Sequence, residues 1–264
     1  MLRTRVITAV LLAPLAVSAI FLLNTQWMAL LLGVVFTLAA WEWGRLIWPQ
    51  TVARWAIPLL AAVAMLTLWY YPQATTSLLY LAVAWWLISL LWLINPEFGH
   101  RSGLGIGLFK TLIALICTAA VWSAMVQLHG IHPFWLFATL LLAWAADIAA
   151  YFVGRAYGRR KLAPKVSPGK TWAGAIGGVL GAVIVGVGMS VMFDLPVPVW
   201  LVALACAGFA AISIIGDLFA SLMKRHAGAK DSSHLIPGHG GVLDRMDSLI
   251  AMVPVLVVLR WWLL

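Results

Sequence analysis

The sequence predicts an all-α integral membrane protein, a polytopic bundle of about nine transmembrane helices with a cytoplasmic N-terminus. Composition is the first reason. Of 264 residues, 64% are hydrophobic and only 9% charged, and the mean hydropathy is +1.02. A soluble domain is typically about half apolar and a quarter charged. A water-soluble chain of this size could not hide so much apolar surface. The second reason is a series of apolar segments long enough, or nearly so, to cross about 30 Å of hydrocarbon as helices. The third is the one-sided placement of the basic residues between them.

In chain order the segments run Ile7–Leu23, Trp27–Trp43, Trp55–Tyr71, Thr76–Ile94, Phe109–Leu128, Phe134–Val153, Trp172–Phe193, Val197–Met223 and Ser248–Leu264. The first follows MLRTR and imitates a signal peptide, with AVSA resembling a cleavage site. Apolar character nevertheless continues to Leu23, which favours an uncleaved span. With the N-terminus inside, Arg3, Arg5, Arg45, Arg54, Arg101 and Lys110 fall in inner loops. The loop after the sixth span adds Arg155, Arg159, Arg160, Lys161, Lys165 and Lys170; the loop after the eighth adds Lys224, Arg225, Lys230 and Arg245. Sixteen of the 17 basic residues thus share one side, and the opposite loops NTQ, YPQATT and LHGIHP hold none. This is the pattern of the positive-inside rule. The odd span number places the C-terminus outside, with Arg260 snorkelling from the last helix.

The net charge of +9 therefore fits inner loops facing anionic lipid better than nucleic acid. Cys117 and Cys206 sit in apolar runs and read as small hydrophobes, not a disulfide framework. The 16 tryptophans suit membrane interfaces. Residues 1–264 form a single transmembrane domain whose halves differ. Residues 1–140 hold two acids, Glu42 and Glu97, and read as structural, lipid-facing helices. Residues 141–264 hold all six aspartates and read as the catalytic half, with loops 154–172 and 224–247. Trp41 and Trp43, which flank Glu42, read as an interfacial belt; the alternative is that Glu42 faces a cavity.

Acids inside a bilayer cost several kcal/mol, so Asp147 in the sixth span and Asp217 in the eighth are functional candidates. Asp147, Tyr151 and Arg155 share a helical stripe, and Ser221, Lys224 and Arg225 continue the face of Asp217. An interhelical ion pair is the structural alternative, and an ion relay the transport alternative.

The loop KRHAGAKDSSHLIPGHGGVLDRMDS gathers Lys224, Arg225, Lys230, Asp231, His239, Asp244, Arg245 and Asp247. Gly238, Gly240 and Gly241 allow tight turns and close approach to a ligand. Asp244 and Asp247 lie one turn apart at the start of the ninth span. Hard carboxylate oxygens at that spacing suit Mg²⁺ shared with substrate phosphates, which the interleaved Lys and Arg would hold. His239 reads as a phosphate or metal-water contact. A purely electrostatic strip would need neither the aspartates nor the Gly-Gly turn. In the other loop, Ser167, Gly169, Lys170 and Thr171 precede a glycine-rich helix start, a natural anion seat, although the first glycine of a Walker A motif is missing.

Ser221 through Asp247 resembles the full signature of the phosphatidate cytidylyltransferases, or CDP-diacylglycerol synthases. The matching positions are Ser221, Lys224, Arg225, Lys230, Asp231, His239, Gly240, Gly241, Asp244, Arg245 and Asp247. DIAAYFVGRAYGRRKLAPKVSPGKTWAG resembles a second block of that family, and WEW fits loosely. The resemblance implies that CTP (or dCTP) and phosphatidic acid give CDP-diacylglycerol and pyrophosphate, in a homodimer in a bacterial-type inner membrane with its active site facing the cytoplasm. It implies that Asp217 and Asp244 ligate Mg²⁺ in a two-metal site, a monovalent cation being another candidate occupant. It further implies that Lys224, Arg225, Lys230 and Arg245 hold substrate phosphates, that Ser167, Lys170 and Thr171 hold triphosphate or lipid phosphate, and that Asp147, Asp231 and Asp247 orient bases or metal waters. The competing readings are a CTP-dependent polyprenol or lipid kinase and a transporter using Asp147 and Asp217. The spacing of CDP-alcohol phosphotransferases is missing.

Overall fold

Short polar breaks decide where one helix stops and the next starts. Asn24 receives the Trp27 N–H on its side chain and caps the second helix. Pro133 opens the sixth at a position where its missing N–H is not needed, and Thr171 caps the seventh by accepting the Gly174 N–H. In the computed structural model, which describes residues 2–100 and 103–263, nine helices result: α1 (Leu2–Leu22), α2 (Thr25–Ile47), α3 (Ala56–Tyr70), α4 (Ala74–Ile94), α5 (Leu104–Ile131), α6 (Pro133–Tyr157), α7 (Trp172–Met192), α8 (Val199–His226) and α9 (Leu243–Leu263). The side chains of Arg3 and Arg5, together with Arg101 and Leu264, lie outside the described residues. Among the described residues seven helices are long and apolar enough to cross a membrane. In α1 the apolar stretch is the shorter Val10–Leu22, and α9 opens on Asp244, Arg245 and Asp247. The protein is an all-α polytopic membrane protein.

Two features differ from the sequence reading. The loop after α6 contains an antiparallel hairpin, β1 (Lys161–Ala163) with β2 (Ser167–Thr171), pairing Lys161 with Thr171 and Ala163 with Ser167. Strands this short carry no usable periodicity. In addition, α8 runs past the expected end at Met223 to His226, so Lys224 and Arg225 are helical and not in the loop. Basic side chains in a last turn complement the helix dipole, and the chain then reverses at Gly228, whose φ is +66°.

The tryptophans divide between two roles. Trp27, Trp55, Trp200 and Trp262 are exposed, as interfacial residues would be, whereas Trp43, Trp85, Trp86, Trp92 and Trp122 are buried. Phe219 of α8 collects edge-on contacts from Trp85, Trp86 and Trp92 at centroid distances of 5.6–5.7 Å. Trp43 packs against the same ring at 6.2 Å, so its assignment to an interfacial belt is overturned. Trp41 instead stacks under Arg45, whose guanidinium lies 4.9 Å from the ring. Cys117 and Cys206 are free and buried, as expected.

Contacts between helix ends define one pole of the bundle. Thr8 donates to the Pro237 carbonyl, Lys110 to that of Gly99 (2.8 Å), and His226 Nε2 to that of Pro96 (2.8 Å). Arg225 reaches the hairpin at Val166. The start of α1, the α4–α5 turn, the hairpin and the α8–α9 loop therefore meet at the pole that the basic residues mark. At the opposite pole His129 Nε2 donates to the Ile20 carbonyl (2.9 Å), and the tilted rings of Phe134 and Phe193 pack at a centroid distance of 4.5 Å.

The tightest seam joins α6 to α7. A methyl group added at Gly177 would lie 2.5 Å from Val153 Cβ. Leucine there has to push the helices apart, so Gly177→Leu is expected to destabilise the detergent-solubilised protein by about 1–3 kcal/mol. A thermal unfolding scan checks this, and an unchanged midpoint would contradict the packing.

Candidate active site

The last turns of α8 present a ladder of polar groups at the basic pole. Asp217 forms an ion pair with Lys170 of β2, and Ser221 donates to Asp217 Oδ1 at 3.5 Å. Lys224 is buried and donates to Asp244 Oδ1 at 2.6 Å. One helix face thereby ties the hairpin on one side and α9 on the other, by the spacing the sequence displays.

Asp147, Tyr151 and Arg155 of α6 join this ladder across a cavity of about 370 Å³, which they line together with Lys170, Thr171 and Asp217. Arg155 donates to the Tyr151 hydroxyl at 3.0 Å, so the stripe expected on α6 is real. Asp147 lies within electrostatic reach of Asp217, Lys170 and Arg245, and Asp247 within reach of Asp217, Lys224 and Lys170. Close packing makes this clustering feasible, since Gly216 of α8 sits directly against the Asp247 carbonyl of α9. Seven of the expected residues (Asp147, Lys170, Asp217, Lys224, Asp244, Arg245 and Asp247) thus form one charged cluster.

The other expected residues are placed differently. Arg225 uses its donors on the backbone carbonyls of Val166 (3.3 Å) and Ala229 (3.1 Å), bracing the hairpin and the next turn. Thr171 is buried at the start of α7 with its hydroxyl oxygen accepting from Gly174. Ser167 stands at the far end of β2 from Lys170. Lys230 and Asp231 are exposed. The half-buried His239 donates its backbone N–H to Ile236, while its Nδ1 is buried without a partner. Gly240 adopts a φ of +82° and closes a bridge to Ile236, and Gly241 donates its N–H to Asp244 Oδ2 at 2.9 Å. These two glycines fold the loop onto the cluster.

Sequence reasoning left Glu42 of α2 undecided, and the structure makes it the loop's anchor. It is fully buried, and its carboxylate accepts from the Ser233 hydroxyl, from the Val242 N–H (3.0 Å) and from the Leu243 N–H (2.6 Å). The Ser232 hydroxyl lies 2.9 Å from Glu42 Oε2 and 2.9 Å from Asp244 Oδ2, bridging the two carboxylates. Asp244 Oδ2 also accepts the Ser232 N–H at 2.9 Å. The sequence signals for Glu42 were an acid in a largely apolar helix and the loose fit of WEW to the family pattern.

Among the described residues no group of three or more His, Cys, Asp and Glu side chains is gathered into a metal cage. The donor set is nevertheless suitable for a hard cation that binds through one or two carboxylates and completes its shell with water and substrate phosphates. Asp217 and Asp244 each have an oxygen whose partner is a lysine ammonium, a counter-ion that a bound divalent cation would replace.

A model of the cytidylyltransferase family matches residues 3–263. The chain is 42% identical to the phosphatidate cytidylyltransferase of Pseudomonas aeruginosa, over 99% of this chain and 97% of that protein. It is 38% identical to the protein of that name from Haemophilus influenzae, over 96% of each. A Brucella suis protein of the same name is 48% identical over 49% of this chain and 48% of its own. The chain belongs to the cytidylyltransferase family and is a nucleotidyltransferase.

Proposed function

We propose that the protein transfers CMP from CTP, or dCTP, to phosphatidic acid, releasing pyrophosphate and forming CDP-diacylglycerol. The observation that carries the reading is the meeting of Lys170, Asp217, Lys224 and Asp244 where membrane helices reach the basic pole, since a lipid phosphate and a soluble nucleotide can share only such a place. The relatives' printed names supply the substrates.

In this reading the lipid phosphate enters the cavity between α6, α7 and α8, where Lys170 and Arg155 supply positive charge. Lys224 and Arg245 face the triphosphate, and Lys230 joins them from the exposed loop. The phosphate monoester is already anionic near neutral pH, so it attacks the α-phosphorus in line without a protein nucleophile. Positioning and electrostatics then dominate the rate. Asp217 and Asp244 would hold Mg²⁺, which when bound neutralises charge on the phosphates. Asp147, Asp231 and Asp247 orient the bases around them. The basic pole faces the cytoplasm, all nine helices cross a bacterial inner membrane with the N-terminus inside, and two copies associate. The one-sided basic residues support the orientation, and the family resemblance supports the dimer.

Separate α- and γ-labelling of CTP in phosphatidate–detergent micelles with Mg²⁺ tests the reaction. The α-label is expected in lipid and the γ-label in pyrophosphate. Entry of the γ-label into lipid would instead mark a lipid kinase and overturn the reading.

A further inference from the structure

The α8–α9 loop leads into the first turn of α9, which brings Asp244, Arg245 and Asp247 to the charged cluster, yet little of the loop's own sequence is apolar enough to hold it in place. What holds it is a carboxylate about 190 residues earlier in the chain, on a helix that contributes nothing else to the cluster. We infer that Glu42 is a positioning residue for the transfer reaction: through Ser232 and the amides of Val242 and Leu243 it sets the orientation of Asp244 and thereby the binding of the divalent cation and the triphosphate. The inference rests on the proposed cytidylyl transfer for its chemistry, but its geometry stands independently.

The donor arithmetic requires a carboxylate at position 42. Glu42 Oε1 faces the Val242 N–H and the Ser233 hydroxyl; Oε2 faces the Leu243 N–H and the Ser232 hydroxyl. A hydroxyl can rotate to accept, but a backbone N–H cannot. Glutamine, although isosteric, places an NH₂ against one of the two fixed amides whichever way it turns. One buried amide is then left without an acceptor, and the first turn of α9 shifts.

That turn is where Asp244 sits. Asp244 Oδ2 already receives the N–H of Ser232, the N–H of Gly241 and the shared Ser232 hydroxyl, so only Oδ1, facing Lys224, is left to meet a ligand. Glu42 therefore selects which carboxylate oxygen points at the substrate without touching the substrate itself. A structural strut elsewhere in α2 would have no such leverage.

The experiment compares Glu42→Gln and Ser232→Ala with the parent protein and with Glu97→Gln, the other acid of residues 1–140, which is exposed and outside the cluster. Folded protein is quantified in detergent, hydrogen–deuterium exchange is followed across the loop, and CMP transfer is measured against CTP and Mg²⁺ concentration. In Glu42→Gln, faster exchange is expected within residues 231–244 while α4 to α7 stay protected. Transfer per folded molecule is expected to fall on the order of 10²-fold, and the Mg²⁺ concentration for half-maximal rate to rise by about tenfold. Ser232→Ala is expected to shift the same three quantities in the same direction but less, and Glu97→Gln none. A folded Glu42→Gln protein with parental loop exchange, or with parental rate and Mg²⁺ dependence, overturns the inference. If Glu42→Gln fails to fold, Ser232→Ala, which leaves both backbone N–H partners of the carboxylate in place, decides by the same criteria. If the parent itself transfers no CMP, the reaction reading fails and the exchange measurement alone judges the anchor.

Discussion

Asp244→Asn is expected to remove CMP transfer almost entirely, by at least on the order of 10³-fold, the scale of losing one essential electrostatic element from a phosphoryl-transfer site. Two backbone N–H donors, from Ser232 and Gly241, fix Oδ2, so the asparagine oxygen takes that position and its NH₂ turns to Lys224. A buried ammonium then faces a donor where it had a carboxylate at 2.6 Å. Breaking a buried pair by removing one charge costs about 3–5 kcal/mol. A lower unfolding midpoint should therefore accompany the lost activity. A second substitution separates the two effects. Lys224→Met combined with Asp244→Asn removes the orphaned charge and should recover part of the midpoint, because a buried ion pair is often no more stable than an apolar replacement. Activity should not return. Transfer by the single variant within about tenfold of the parent would show that the charge of Asp244 is dispensable to chemistry of this kind.

Gly241→Ala is expected to be nearly as damaging, for a different reason. The backbone at 241 is not in the left-handed region, so alanine has no conformational objection to the site. The obstacle is the space into which its Cβ must project, already filled by the Ser232 hydroxyl and both oxygens of Glu42. A single methyl group therefore has to move a fully buried carboxylate that holds two backbone amides and two hydroxyls. Gly240→Ala would be strained by its φ of +82°, costing about 1–2 kcal/mol. Transfer by folded Gly241→Ala protein should fall on the order of 10²-fold, as for other losses of active-site alignment. Exchange should rise across residues 231–244. A Gly241→Ala protein as active as the parent would mean that the loop tolerates displacement from Glu42.

The chemistry of the site was legible because membranes penalise charge. An aspartate in an apolar helix stands out against its background, which is why Asp147 and Asp217 could be singled out and why helical spacing placed Tyr151, Arg155, Ser221 and Lys224 relative to them. Pairing was not legible. Lys170 and Asp217 are 47 positions apart, and nothing local links a hairpin residue to α8. Arg225, adjacent to Lys224 in the sequence, proved to face backbone carbonyls, because neighbouring residues on a helix point about 100° apart.

Tryptophan shows the same limit. A count of 16 suits an interface, and Trp27, Trp55, Trp200 and Trp262 sit as an interface would require. Trp43, Trp85, Trp86 and Trp92 instead enclose Phe219, two residues beyond Asp217 on α8. Composition cannot separate these roles, since both require the same ring.

By itself the sequence determined what depends on local patterns: the bilayer as solvent, the succession of apolar helices, the pole that gathers the cations, and the loops that carry acids beside bases. These follow from hydropathy, helical periodicity and charge placement, each readable within a window of one or two helices. Tertiary structure alone decided which carboxylate meets which lysine, which oxygen of Asp244 faces Lys224, and that Glu42 secures a loop some 190 positions away. Those outcomes depend on close approach between helices, through small residues such as Gly216 and Gly177, and on satisfying every buried donor. Neither condition is local, so only the folded chain can express them.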